Sequence, residues 1–129
     1  MNIIEERFAV HKDDFKHYDT DKLRQHFLIE KIFAADEVLF TYTHYERIMV
    51  GGAMPVNATV PLEPVYQQKA DYFLERRELG AINVGGKGAI IVDGERFELE
   101  SKEALYIGRG AQEVIFSSDN PERPAKFYM

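Results

Sequence analysis

The stretch that decides the fold of this chain reads Tyr72-Phe73-Leu74-Glu75-Arg76-Arg77-Glu78-Leu79-Gly80 and continues as Ala81-Ile82-Asn83-Val84-Gly85-Gly86-Lys87-Gly88. We interpret it as a strand that leads into a glycine-rich turn of a β-barrel. Residues i and i+2 of a strand project to the same face. Tyr72 and Leu74 are therefore expected to point together into the barrel and to fill its interior.

Further short strands are predicted on both sides of this stretch. The apolar run 89–92 and the alternating run 95–99 flank Asp93-Gly94, which predicts a tight hairpin because both turn residues tolerate positive φ. Residues 20–27 predict one short helix, with Asp19 among its N-cap candidates and an apolar pair at Leu23 and Phe27. The other predicted strands are 27–33, 38–43, 47–50 (ending at Gly51-Gly52), 104–107 paired with 113–116, and 125–128. Many short strands with glycine and proline turns indicate an all-β sandwich or small barrel.

Composition limits the class of protein. The 129 residues, 45% of them apolar, suffice for one domain, which we place at 19–129 behind a polar N-terminal arm at 1–18. A net charge of −6 disfavours nucleic-acid partners, and no apolar run reaches the roughly 20 residues of a membrane span. The chain has no cysteine, and its first residues include Glu5, Glu6 and Arg7 instead of an apolar signal segment. We therefore expect a cytoplasmic protein without membrane or nucleic-acid partners.

Several segments together carry a resemblance to a known family. They are 47–52, the string Y-F-L-E-R-R-E-L-G at 72–80, 82–86, 104–108 and 124–128. From about residue 19 onward the chain resembles the N-terminal half of bacterial 5-keto-4-deoxyuronate isomerase, also called 4-deoxy-L-threo-5-hexosulose-uronate ketol-isomerase. Members of that family have two cupin halves. The resemblance implies a cupin-like double-stranded β-helix (a jelly-roll barrel) with one short N-terminal helix, in a truncated or split member of the family.

The resemblance also implies where a metal would lie. The family's zinc box belongs to its second half and resembles H-x-H-E-R-R-x-E. Alignment of the shared Glu-Arg-Arg with residues 75–77 puts Tyr72, Leu74 and Leu79 at three ligand positions and Glu113 near the fourth. A zinc site needs three or four converging donors, and of these residues only Glu113 is suited to bind a metal. We expect zinc in the full-length family enzyme, and no metal or other cofactor in this chain.

Few residues qualify as candidate site residues. The histidines His11, His17, His26 and His44 have no H-x-H partner, so we expect them at the surface or in hydrogen bonds. Arg76 or Arg77 suits the carboxylate of a uronate, although an ion pair with Glu75 or Glu78, or a contact to a neighbouring domain, is the commoner arrangement. Gly85-Gly86-Lys87-Gly88 lacks the spacing of a phosphate loop and predicts a turn. The candidate substrate-binding residues are Tyr72, Arg77 and Glu113.

Three functions stay open at this point. By resemblance, the full-length enzyme is an intramolecular oxidoreductase that interconverts 5-keto-4-deoxyuronate and 2,5-diketo-3-deoxygluconate in pectin and uronate degradation. That reaction needs a base and an electrophile, and no catalytic residue can be assigned in this chain, so we expect a structural half that is inactive alone. The alternatives are a metal-free cupin that binds a sugar acid, and a stand-alone oligomerisation module. In each case we expect a homo-oligomer.

Overall fold

The computed structural model describes residues 2–129, and side chains from residue 4 onward. Two β-sheets and one α-helix make up the fold. The elements are β1 (Asn2–Arg7), α1 (Thr20–Phe27), β2 (Val38–Thr43), β3 (Met49–Ala53), β4 (Val60–Pro61), β5 (Leu79–Asn83), β6 (Gly88–Val92), β7 (Glu95–Leu99), β8 (Ala104–Ile107), β9 (Val114–Ser118) and β10 (Phe127–Tyr128), with 3₁₀ turns at Phe15–His17 and Tyr66–Gln68. The first sheet has the order β1-β2-β3-β10-β5-β8, and the second has the order β4-β9-β6-β7.

The core lies between the two sheets. Strand β5 alternates strictly, with Leu79, Ala81 and Asn83 buried and the residues between them exposed. The rings of Phe116 on β9 and Phe127 on β10 are fully buried, with centroids 5.3 Å apart, so the inner faces of the two sheets meet there. The predicted all-β, cupin-like class with one short helix is confirmed. Among the described residues, no ladder of strand pairs closes the two sheets into one barrel.

Two local predictions are confirmed in detail. Helix α1 covers residues 20–27, and the Asp19 side chain accepts a hydrogen bond from the Lys22 N–H at 2.9 Å, which caps its first turn. Strands β6 and β7 form the predicted hairpin, with φ of 47° at Asp93 and 85° at Gly94. The Asp93 carboxylate also accepts the N–H group of Glu113 at 2.8 Å. The hairpin turn is thereby tied to the start of β9.

A second carboxylate holds the loop after β3. Asp36 Oδ1 accepts the backbone N–H groups of Val56, Asn57 and Ala58, and its Oδ2 accepts the Asn57 side-chain amide. These bonds, the Val56 N–H first and the Asn57 amide next, lower the Asp36 pKa to about 2. The loop after β3 is thus fastened to the segment that precedes β2.

Strand β1 was not predicted. Residues 2–7 lie in the predicted polar arm, yet they pair in parallel with β2, from Asn2 opposite Val38 to Arg7 opposite Thr43. The segment has no strict alternation of polar and apolar residues. Its strand conformation depends on the hydrogen-bonding edge that β2 offers.

The predicted strand over residues 72–78 is wrong. This segment consists of turns and bends, and the next strand begins at Leu79. Phe73 and Leu74 are consecutive and both buried, whereas Tyr72 is half-buried, so Tyr72 and Leu74 do not share a strand face. The Leu74 carbonyl accepts the Gly110 N–H at 2.7 Å, which anchors the turn against the loop after β8.

Three further strand predictions are corrected. Residues 28–33 form no strand but cross the first sheet, where Ile32 and Phe33 lie against Gly52. A Cβ at Gly52 would lie 2.3 Å from the Ile32 carbonyl oxygen and 2.5 Å from the Phe33 ring, so only glycine lets segment 28–33 approach β3 this closely. Strand β3 therefore continues through Gly51-Gly52, where a break was predicted. Strands β8 and β9 do not pair with each other; β8 pairs with β5, and β9 pairs with β4 and β6.

Candidate functional site

Two adjoining clefts open at one end of the sandwich. The register places the end of β2 beside the start of β3, and the start of β5 beside the end of β8, so the loops 44–48, 66–78 and 108–110 meet at this end. The clefts measure about 550 Å³ and 620 Å³. Both are lined by Glu46, Arg47, Phe73, Arg76 and Arg77.

Arg77 is held in a defined orientation. Its Nη1 donates to the Arg47 carbonyl at 2.8 Å, and its guanidinium carbon lies 5.5 Å from the centroid of the Tyr42 ring. This arrangement combines a hydrogen bond with a cation–π contact. Arg77 therefore bridges the turn between β2 and β3 and the turn that precedes β5.

The expected ion pairs of Arg76 and Arg77 with their neighbours do not form among the described residues. Glu75 accepts the Asp71 N–H at 3.0 Å, and Glu78 accepts the Tyr106 hydroxyl at 2.6 Å. The hydrogen bond to Glu78 raises the pKa of Tyr106 above its usual range. Both carboxylates are thus directed elsewhere.

Arg76 donates instead to backbone oxygens. Its Nη2 lies 3.1 Å from the Gln68 carbonyl and 2.5 Å from the Lys69 carbonyl. The Gln68 side chain accepts from the Val65 N–H and donates to the Phe73 carbonyl. The neighbouring Gln67 lines the first cleft with a buried side-chain oxygen that accepts no hydrogen bond from the described residues.

Arg47 occupies an unusual turn. The Ile48 N–H donates to the Tyr45 carbonyl at 3.2 Å, and the two central residues, Glu46 and Arg47, have φ of 56° and 58°. Positive φ at both central positions is the geometry of a type I′ turn, which favours Asn-Gly. Each L-residue other than glycine in this region costs about 1–2 kcal/mol. The chain thus places two unfavourable residues at the turn that presents Arg47 to both clefts.

The clefts are positive in an acidic protein. Arg109 joins the shared arginines in the larger cleft, and Lys69 joins them in the smaller one, whereas the lining carboxylates are Glu46 and Glu78. Arg47, Arg76, Arg77 and Arg109 form no ion pair with a carboxylate of the described residues, although the net charge of the chain is −6. Outside the clefts, Arg7, Arg24 and Arg96 are paired with Glu5, Glu30 and Asp119 respectively, whereas Arg123 forms no ion pair with a carboxylate of the described residues.

The structure separates the three predicted substrate-binding residues. Arg77 lines both clefts. Tyr72 is half-buried in the 72–78 turn, and Glu113 is exposed beside Asp93; neither lines these clefts. The binding role of Tyr72, Arg77 and Glu113 stays a prediction. Sequence reasoning missed Arg109, Lys69 and Gln67, because their positions carry no motif and become neighbours only through loop packing.

The residues at the expected zinc positions do not fit a metal. Leu74 and Leu79 are core side chains without a donor atom, and Tyr72 lies on the turn beside them. Among the described residues, no group of three or more histidine, cysteine, aspartate or glutamate side chains could hold a metal ion. His44 stacks on the Phe8 ring at 4.4 Å, and its Nε2 lies 2.7 Å from Glu6 Oε1.

The facing sheets, the single helix and the cation-lined clefts define an all-β domain of cupin-like architecture. A protein of Yersinia pseudotuberculosis serotype O:1b is 55% identical over 124 residues, which are 95% of this chain and 45% of that protein. A protein of Lacticaseibacillus paracasei is 48% identical over 123 residues, 95% of this chain and 44% of that protein. Both are named 4-deoxy-L-threo-5-hexosulose-uronate ketol-isomerase. The predicted resemblance to one half of this isomerase is confirmed, and the chain spans less than half the length of these relatives.

Other comparisons add less. No family model matches the chain. Two solved structures, the Clostridium difficile EutQ protein and a cupin protein from Bacteroides fragilis, each align with 62% of the chain, and with 52% and 58% of their own chains, at 22% identity and a TM-score of 0.42. No helix in the described part of the chain is both long and apolar enough to cross a membrane.

Proposed function

We propose that this chain is the metal-free half of a cytoplasmic ketol-isomerase that interconverts 5-keto-4-deoxyuronate and 2,5-diketo-3-deoxygluconate in pectin and uronate degradation. The observation that carries the proposal is the 55% identity over 124 residues to a relative named as this isomerase. Movement of a carbonyl between adjacent carbons requires a base and an electrophile that stabilises the enediolate. In the longer protein, zinc held by the other half would supply the electrophile.

A structural role for this half is supported by the side chains at the expected ligand positions. Leu74 is completely buried and Leu79 nearly so, and both belong to the main hydrophobic cluster. A leucine side chain carries no nitrogen, oxygen or sulfur atom, so neither residue can supply a metal donor. This half therefore contributes a stable fold and contact surfaces, and the metal-dependent step takes place elsewhere in the longer protein.

The outer face of the first sheet supports self-association. Ile82, Val84, Tyr106 and Tyr128 are 41%, 52%, 66% and 39% exposed. Ile82 lies opposite Tyr128 on β10, and Tyr106 lies opposite Gly80 on β5, so these side chains form one outward face across β10, β5 and β8. Neighbouring exposed apolar side chains mark interaction surfaces. We assign this face to contact with a second copy of the chain in a homo-oligomer.

A chimera tests the isomerase assignment. In the Yersinia pseudotuberculosis relative, this chain would replace the 124 matched residues. The folded chimera is expected to isomerise the keto-deoxyuronate, with the parent relative as control. A folded chimera that retains its zinc but has no turnover would overturn the assignment.

The isolated chain tests the metal-free role. Purified protein is expected to contain well under one equivalent of zinc, nickel, manganese or iron, and to show no turnover with excess zinc. Stoichiometric metal that resists a chelator would contradict the proposal. So would turnover by the isolated chain that Arg77→Ala or Glu113→Gln abolishes.

A further inference from the structure

We infer that the two clefts that meet at Arg47, Arg76 and Arg77 form one binding site for a small sugar acid, whose carboxylate is held by the guanidinium groups. The choice of a uronate rests on the proposed function. Recognition of an anion rests on the clefts alone. We call this site the arginine cleft, lined by Arg47, Arg76, Arg77 and Arg109.

The charge of the arginine cleft favours an anionic ligand. The four guanidinium groups of the arginine cleft form no ion pair with a carboxylate of the described residues. Glu75 and Glu78 accept hydrogen bonds from other groups, and Glu46, which lines both clefts beside Arg47, forms no ion pair with these arginines. Adjacent cations repel one another unless an anion joins them. The planar guanidinium fork matches a carboxylate in two parallel hydrogen bonds. An incoming carboxylate would neutralise the repulsion that the folded chain leaves in place.

Two guanidinium groups of the arginine cleft are oriented before any ligand binds. Arg77 is fixed by the hydrogen bond to the Arg47 carbonyl and by the Tyr42 ring, and Arg76 is fixed by two backbone carbonyls. Among the described residues, each of these two guanidinium groups uses one terminal nitrogen in those hydrogen bonds. Side chains that are already ordered lose less entropy when a ligand binds. The cleft thus offers oriented donors to an anion.

The size and lining of the smaller cleft favour a sugar acid over a bare anion. The smaller cleft has a volume of about 550 Å³, within the range of small-molecule sites. It is lined by the rings of Tyr42 and Phe73 and by Gln67, whose buried oxygen lacks a donor among the described residues. A buried acceptor without a donor is costly, and a sugar hydroxyl would supply one. Inorganic phosphate would satisfy the arginines but carries no hydroxylated ring to contact the amide and the aromatic rings.

The unfavourable backbone conformation of the turn that carries Arg47 also favours a binding role for this residue. Glu46 and Arg47 both have positive φ at positions where Asn-Gly would be more stable. Strained residues of this kind concentrate at ligand sites, where a side chain is retained for its function. The Arg47 side chain is exposed and lines both clefts, so binding accounts for its presence better than packing does.

Calorimetric titration of the 129-residue chain tests the inference. D-galacturonate and D-glucuronate are the probes, galactose is the neutral control, and inorganic phosphate is the bare anion. We expect at least one uronate to bind at millimolar concentration, more tightly than galactose or phosphate. Arg77→Lys keeps the charge but removes the fork, and Arg47→Gly removes the cation from a turn that glycine suits; each is expected to raise the Kd for the uronate about tenfold.

Two further variants sharpen the test. Gln67→Leu should weaken uronate binding severalfold and leave phosphate binding unchanged. Arg123→Ala removes an exposed arginine outside both clefts, and it should leave all affinities unchanged if the arginine cleft is the site. Circular dichroism confirms that each variant is folded.

Each other outcome overturns the inference. Absence of uronate binding does so, as does equal affinity for galactose, tighter binding of phosphate, or an equal loss of affinity in Arg123→Ala. The test is independent of turnover. An active chimera with a chain that binds no uronate would refute this inference alone, whereas uronate binding by the chain with an inactive chimera would refute the isomerase proposal alone.

Discussion

Replacement of Arg47 by glycine should stabilise the protein while it weakens the arginine cleft. Arg47 has a φ of 58° in the turn between β2 and β3. Relief of the left-handed conformation is worth about 1–2 kcal/mol, and the greater backbone freedom of glycine in the unfolded chain costs about 0.5–1 kcal/mol. The Arg47 side chain is exposed, so little packing is lost. The net gain in the free energy of unfolding is therefore about 0–1.5 kcal/mol, with a central value of about 0.8 kcal/mol.

Urea unfolding measures this gain as a higher midpoint at an unchanged slope. Arg47→Ala is the first control, because it removes the side chain and retains the backbone cost, so no comparable gain is expected. Arg109→Gly is the matched control: Arg109 is also an exposed arginine of the cleft, but it is not among the residues with positive φ. It should lose about 0.5–1 kcal/mol. If Arg47→Gly destabilises the protein as much as Arg109→Gly does, the turn geometry and the strain argument are both wrong.

Four other predictions concern the fold and its surface. The Asp36 pKa of about 2, lowered mainly by the Val56 N–H group, lies below the usual 3.8. This carboxylate therefore contributes stability above pH 4 that is lost as the pH falls towards about 2. In acid titrations of stability, Asp36→Asn should flatten that pH dependence, and an unchanged profile would refute the contribution of Asp36. In chemical denaturation, Asp36→Ala should lower stability more than Asp36→Asn, because alanine removes every acceptor. The reverse order would contradict the stabilising role of the Asp36 hydrogen bonds to the loop after β3. Gly52→Ala should lower the free energy of unfolding by about 1–3 kcal/mol, because a Cβ would lie 2.3 Å from the Ile32 carbonyl oxygen. Unchanged urea unfolding would refute the packing of segment 28–33 against Gly52. On light-scattering chromatography, Ile82→Lys should dissociate the proposed homo-oligomer without unfolding the chain, and a protein of unchanged mass would contradict the proposed contact face. The contrasting variant is Leu74→Ala, which removes a side chain with 0% exposure and should lower the free energy of unfolding by about 2–5 kcal/mol.

The sequence by itself determined the elements that depend on neighbouring residues. The Asp93-Gly94 hairpin follows from the tolerance of those two residues for positive φ, and the helix at 20–27 follows from its Asp19 cap. The all-β class follows from the short β-rich runs. The resemblance to the ketol-isomerases was likewise visible in the string at 72–80 and was confirmed by the relatives.

Tertiary structure alone decided the placement of segments whose partners are distant in sequence. Strand β1 forms because β2 offers an edge 36 residues further along, as the pairing of Asn2 with Val38 shows. The turn at 72–78 buries two consecutive side chains, Phe73 and Leu74, and a strand cannot do this on one face. The segment 28–33 does not pair as a strand, and its Ile32 and Phe33 lie against Gly52 instead.

The candidate site belongs to the same category. Arg77 was recognisable as a cation suited to a carboxylate, but its neighbours come from three separate loops. Whether a charged side chain pairs with an adjacent carboxylate or joins distant cations depends on the direction in which each loop projects it. Local sequence does not encode that direction, because loop conformation is set by contacts such as the Arg77 hydrogen bond to the Arg47 carbonyl, across 30 residues of chain.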